Sequence, residues 1–145
     1  MCECIQVDRL SSNVEEWLAE LPRYQQGILH QLLRSSNGDV TKAAGLWLSA
    51  QGADNTSPLG GTQRGSSYID KFKAEFKKFV CGNSKYKTHR QEFAAIGTAS
   101  NLSVATYVGN SIAPDIGVAP CLLVPAIALL LSVIAKCGVN AWCAD

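Results

Sequence analysis

The side chains best suited to chemistry in this chain are six cysteines and two histidines among 145 residues. Cys2 and Cys4 are separated by one residue and Cys137 and Cys143 by five, so neither pair has the two-to-four-residue spacing of a zinc site. Only His30 and His89 could complete a ligand set, and no metal or other cofactor is expected. A cysteine hydrolase would have to pair Cys81 with His89 or His30. Both histidines stand on helical segments among polar neighbours, where a solvated or half-buried ring is the ordinary outcome. The chain therefore reads as non-enzymatic, with no small-molecule substrate identified. Met1 to Arg9 lacks the basic start and apolar run of a signal peptide, which gives a cytosolic origin and reduced, structural thiols. Acylation of Cys2, Cys4 or Cys137 has no spacing that specifies it. Gly60-Gly61-Thr62-Gln63-Arg64-Gly65 follows no strand and lacks the Lys-Ser/Thr of a phosphate loop, which excludes a nucleotide fold.

Basic and aromatic residues interleave in a second stretch of interest. Tyr68, Phe72, Phe76 and Phe79 recur every three or four residues, with Lys71, Lys73, Lys77 and Lys78 between them. Single-strand nucleic-acid binders mix these types, but here the periodicity puts rings on one helix face and lysines on the other. The four lysines thus form a basic surface for an acidic protein or anionic lipid. A formal net charge of +1 argues against specific nucleic-acid binding. That charge is unevenly distributed: residues 1–63 carry −3, residues 64–93 carry +5 and residues 94–145 carry −1.

The elements that position these residues are all helical. Asn13 with Glu16 resembles a capping box ahead of Val14, Trp17, Leu18 and Leu21. Pro22 can open a second helix carrying Ile28, Leu29, Leu32 and Leu33 and ending near Asn37-Gly38. Asp39 caps a third helix with Ala43, Ala44, Trp47 and Leu48, stopped by Gly52. These form a helical head, residues 1–52, in which Trp17, Leu29 and Trp47 are the candidate partner-binding residues. Residues 53–66 are a Gly/Ser/Asn/Thr/Pro linker. Residues 67–96 are the basic amphipathic segment, capped by Ser66 or Ser67, broken by Gly82 and continuing through Tyr86, Arg90, Phe93 and Ile96. Residues 97–145 are a hydrophobic C-terminal helical pair at about 97–113 and 116–142, with Pro114-Asp115 as the turn between them. The fold class is all-α.

Twenty consecutive residues from Ile116 to Ala135 carry no charge. At ~1.5 Å per residue such a helix covers ~30 Å, the thickness of a bilayer's hydrocarbon core. Two readings follow. In the first, the pair enters a membrane or an oligomer core through Leu122, Leu123, Ile127, Leu130, Leu131 and Ile134. Asn101 and Asn110 then face a lumen or another helix, because an unpaired amide in lipid is costly. In the second, the helix is a core helix buried on all sides by the rest of the chain, which also reads as apolar all round. Length favours insertion.

Residues 25–50, with Asn37-Gly38-Asp39 between two helices and Ala43-Ala44 and Trp47-Leu48 in the second, resemble part of a ubiquitin-associated-type three-helix module. The resemblance implies a small helical bundle. Trp47 lies one position later than that family's aromatic, and its hydrophobic ubiquitin-gripping loop is missing. Asn37 to Ala44 is also similar to Fis-type helix-turn-helix sequences, but no basic recognition helix follows. The layout of helical head, basic helix and apolar C-terminal segment is similar to small membrane-acting effectors of bacterial conflict and antiphage systems. It implies an effector that self-assembles in or on a membrane as a pore component, located in the cytoplasm and at the inner membrane of a bacterium. The alternative is a soluble helical adaptor or small subunit whose C-terminal helix is its own core or docks into a larger protein partner.

Overall fold

The computed structural model of the protein describes residues 12–51, 61–96 and 100–144, with side chains at all of these except 50–51, 61–68, 93–96 and 140. Among them are eight α-helices and no strand, so the fold is all-α. Helix α1 spans Val14–Leu18, α2 Arg23–Ser35, α3 Val40–Gln51, α4 Gly61–Val80, α5 Lys87–Ile96, α6 Asn101–Ile116, α7 Pro120–Cys137 and α8 Val139–Ala144.

Local chemistry sets most of these boundaries. The Asn13 side chain accepts the Glu15 amide at 3.0 Å and Asp39 accepts that of Lys42 at 3.1 Å, so each satisfies an amide with no partner inside its helix. Ser100 does the same for Ser103 at the start of α6. Gly117, at φ 89°, ends α6 in the left-handed conformation that side chains resist. Gly138, at φ 93°, separates α7 from α8.

Four expected boundaries move. Helix α4 begins at Gly61, inside the segment read as a linker, whose first part lies outside the described residues, as does the expected stop at Gly52. Pro114-Asp115 is not a turn, because α6 runs through Pro114 to Ile116. Pro22 occupies the cap position, and the second helix starts at Arg23. The expected 116–142 helix is two helices, divided at Gly138.

Helix α7 is the centre of the molecule. Leu123 through Ser132 and Ile134 are buried along it, and it packs against α1, α3, α6 and α8. The α6 contact is close because Ala105, Gly109 and Ala113 recur every fourth residue on one face. A Cβ on Gly109 would stand 3.4 Å from the Pro120 carbonyl oxygen and 3.5 Å from Ile127 Cδ1. Residues of the head and of the C-terminal pair belong to one apolar cluster. Polar atoms inside it find partners: Ser132 donates to the Leu129 carbonyl at 2.6 Å, and Trp47 Nε1 donates to the Leu122 carbonyl at 2.9 Å. Pro125 has no N–H to offer the Cys121 carbonyl four residues earlier, the neighbour of the Leu122 carbonyl that Trp47 reaches.

Candidate functional site

Between α3 and α4 lies a groove of about 590 Å³, closed at the bottom by α7 and at one side by α8. Leu48, Ile69, Phe72, Phe76, Leu130 and Trp142 line it, and Lys42, Lys73 and Lys77 reach it from its two long sides. Helix α4 makes its half of the wall by periodicity. Phe72, Phe76 and Phe79 are buried, while Lys71, Lys73 and Lys77 are exposed, so at the edge of the buried face each turn sets a ring beside an ammonium.

The aromatic wall continues onto α8. Phe72 and Phe76 stack at 5.6 Å, and Trp142 meets Phe76 edge-on at 5.6 Å and 85°. Trp142 is held there from the next residue, because Cys143 is bonded to Cys81 at the end of α4. That disulfide corrects two expectations. Cys81 and Cys143 are not reduced thiols, and the Cys81 sulfur is not available as a nucleophile for His89 or His30. Cys121 and Cys137 are free and exposed. His30 pairs with Glu15 at 2.8 Å across α1 and α2, and His89 lies edge-on to Tyr86. Among the described residues no three His, Cys, Asp or Glu side chains are placed to hold a metal ion.

Behind the groove, where α4 ends, a charged corner fixes α4 against α6. Tyr86, 1% exposed, donates its hydroxyl to Glu75 Oε1 at 2.5 Å and lies 3.0 Å from Asp115 Oδ2. Lys85 Nζ bridges Glu75 at 2.8 Å and Asp115 at 3.3 Å, and Lys78 reaches Glu75 at 3.2 Å. Burial raises the Glu75 pKa, but donors from Lys85, Tyr86 and Lys78 outweigh it and hold the carboxyl at about 2, against an ordinary 4.5. Burial first, then the two carboxylates, push the Tyr86 hydroxyl well above its usual value. The bond to Glu75 raises the Lys85 ammonium. Arg90, 6% exposed, donates to the carbonyls of Lys78, Phe79 and Asn83 and so closes the C-terminal end of α4.

The expected site residues divide sharply. Leu123, Ile127, Leu130, Leu131 and Ile134 are buried in the chain's own core, and Leu122 is half-buried beneath Trp47, so the expected membrane or oligomer face is not an open face in this structure. The reason is that α1, α3, α6 and α8 carry the apolar stripes that cover it. Trp17, Leu29 and Trp47 are 1%, 0% and 2% exposed, so they are core residues and not a partner-binding surface. The head instead exposes Tyr24 at 68% and Ile28 at 37%. Asn110 is exposed on α6, and Asn101 is half-buried at the first position of α6. Of the four lysines, Lys73 and Lys77 join the groove, Lys71 is exposed beside it and Lys78 is spent on Glu75. Tyr68 lies outside the described side chains. Lys42, Leu46 and Trp142 were not foreseen as site residues; Leu46, 36% exposed beside buried Trp47 and Leu48, is the one with a signal in the α3 pattern.

The polar lining of the groove is three lysines with the hydroxyls of Thr41 and Ser49, and none of the described lining residues is a histidine or a carboxylate. A comparison with protein families, curated proteins and solved structures finds no match for this chain.

Proposed function

We propose that the chain is a non-enzymatic helical binding module, an adaptor or small subunit whose apolar C-terminal helix is its own core and whose working surface is the groove between α3 and α4. The observation that carries this reading is the cover on α7: its buried residues are partnered by helices of the same chain, so they require neither lipid nor a second copy. The Cys81–Cys143 bond supports placing the module where thiols are oxidised, in place of the cytoplasmic location expected from the sequence.

A second reading, self-assembly in or on a membrane as a defence effector, draws on one observation. Helix α7 has 18 residues at a mean hydropathy of 2.2, long and apolar enough to cross a membrane by length and composition. The same span is 61% buried inside the molecule, which the first reading explains without rearrangement.

Fractionation of cells expressing the full chain and its Ile127→Arg variant separates the two. On the first reading the parent stays in the detergent-free supernatant as a cooperatively unfolding protein. The variant loses its unfolding transition, because an unpaired buried charge costs roughly 3–5 kcal/mol. A parent that leaves the membrane fraction only with detergent, and a variant released from it folded, overturn the proposal.

A further inference from the structure

We infer that the α3–α4 groove is a binding site for a long-chain carboxylate, a single-tailed amphiphile of the fatty-acid class whose tail lies on the aromatic floor and whose head meets the lysine rim. The inference rests on the binding-module reading above and names its ligand. Three features fix the class. The volume of about 590 Å³ falls in the small-molecule range of roughly 300–1,000 Å³. The apolar lining of Phe72, Phe76, Trp142, Leu48 and Leu130, walls and floor together, offers no hydrogen-bonding side chain except the edge of the Trp142 indole, so the body of the ligand must be apolar. At the rim, Lys42 and Lys73 make no ion pair among the described residues, and no described lining residue is acidic. A cationic rim above an apolar floor selects an acid with a tail against an alcohol or an amine with the same tail.

The groove also contains its own control. Gly45 lines it from α3, and a Cβ added there meets no atom within 4 Å. Leucine at this position fills the open space and improves helix propensity by up to about 1 kcal/mol, so it blocks the site without breaking the fold. Lys73 is exposed on a helix face and tolerates reversal of charge.

The experiment is calorimetric titration of the full, disulfide-bonded chain with dodecanoate below its micellar concentration, alongside dodecanol and dodecyltrimethylammonium. Tryptophan fluorescence, to which Trp142 contributes from the groove, serves as a second readout. The expected result is saturable one-to-one binding of dodecanoate, weaker binding of the alcohol and none of the cation. Lys73→Glu should weaken dodecanoate about tenfold or more while leaving dodecanol unchanged, Gly45→Leu should abolish both, and Lys87→Glu, outside the groove, should change nothing. No saturable binding, or binding indifferent to Gly45→Leu, overturns the inference. So does equal binding of acid and alcohol. A parent dimer that Gly45→Leu converts to monomer, without dodecanoate binding, overturns it in favour of a second copy as occupant. Failure of the underlying reading is distinguishable, since it appears as membrane-bound protein before any ligand is added.

Discussion

The seam between α6 and α7 and the corner where α4 meets α6 hold the same helix, α6, by opposite means. The seam is apolar and close: Ala105, Gly109 and Ala113 allow α7 to approach until the Pro120 carbonyl lies 3.4 Å from where a Cβ would be. The corner is polar and only partly buried: one carboxylate, Glu75, takes donors from Tyr86, Lys85 and Lys78, and the exposed Asp115 of α6 shares two of them. At the seam small buried residues pack closely against α7, so its strength tracks shape. At the corner an uncompensated charge would be costly, so its strength tracks protonation. The groove depends on both, because α7 supplies its floor and α4 one of its walls.

The largest effect is expected from forcing the seam. Gly109→Leu puts a branched side chain against the Pro120 carbonyl, Ile127 and Val124, and should destabilise the protein by roughly 1–3 kcal/mol, read as a fall in the denaturant midpoint. Gly109→Ala is the control, since its Cβ reaches ordinary contact and removes a helix-interior glycine; its change should stay within about 1 kcal/mol. Both differences should be the same at pH 7 and pH 4, because no titrating side chain is among the atoms a Cβ there would meet. An alanine variant as damaged as the leucine variant would mean that the seam has no tolerance at all.

Acid should reach the corner and not the seam. Glu75 has its pKa at about 2 in the folded chain and near 4.5 when unfolded, so between those values the unfolded state binds the extra proton. Its contribution is therefore complete above about pH 4.5 and is lost as the pH falls toward about 2. Thermal unfolding followed from pH 6 to pH 2 should show a falling midpoint across that window. Glu75→Gln, which cannot ionise, should start lower at pH 6 and flatten the slope in the same interval. A slope unchanged by the substitution would place the acid sensitivity elsewhere.

These two regions also differ in how far the sequence exposes them. From Gly97 to Ala113 the sequence is mostly Gly, Ala, Ser, Thr and Asn, a composition that permits close helix approach, and the seam is where that composition points, although the four-residue spacing of Ala105, Gly109 and Ala113 gains its meaning only from the fold. The corner is invisible in one dimension. Glu75 reads as a single acid on a lysine-rich face, its donor Tyr86 stands 11 residues away along the chain, and Asp115, which shares that donor, stands 29 residues beyond Tyr86. The Cys81–Cys143 bond joins residues 62 apart and is likewise a consequence of the tertiary arrangement. The helices themselves follow from the 3.6-residue period, but their ends do not. Pro114 suggested a turn, while the helix continues to Gly117, where the left-handed backbone needs a glycine. The charge-free run was the hardest segment to place, since a helix surrounded by lipid and a helix surrounded by its own chain call for the same residues. Only the stripes on α1, α3 and α6 decide that α7 has covering helices, and a stripe does not state which surface it covers. The groove was half legible for the same reason: lysines and rings alternate visibly on α4, whereas α3 and Trp142 of α8 join them only through the fold.

A modest effect should come from Tyr86→Phe, and it tests whether the corner acts through charge or through packing. The ring stays against Phe79, 5.6 Å between centroids, and only the hydroxyl is lost. Glu75 keeps Lys85 and Lys78, so the loss at pH 7 should be near that of one hydrogen bond to a charged group, about 1.5 kcal/mol. With one donor gone, the folded-state pKa of Glu75 moves up from about 2 toward 4.5. The deficit relative to the parent should then shrink as the pH falls below about 4.5, because a protonated Glu75 has no charge for the missing hydroxyl to satisfy. A deficit that stays constant down to about pH 2 would mean that the hydroxyl matters only as filled volume, and the contrast between seam and corner would reduce to two kinds of packing.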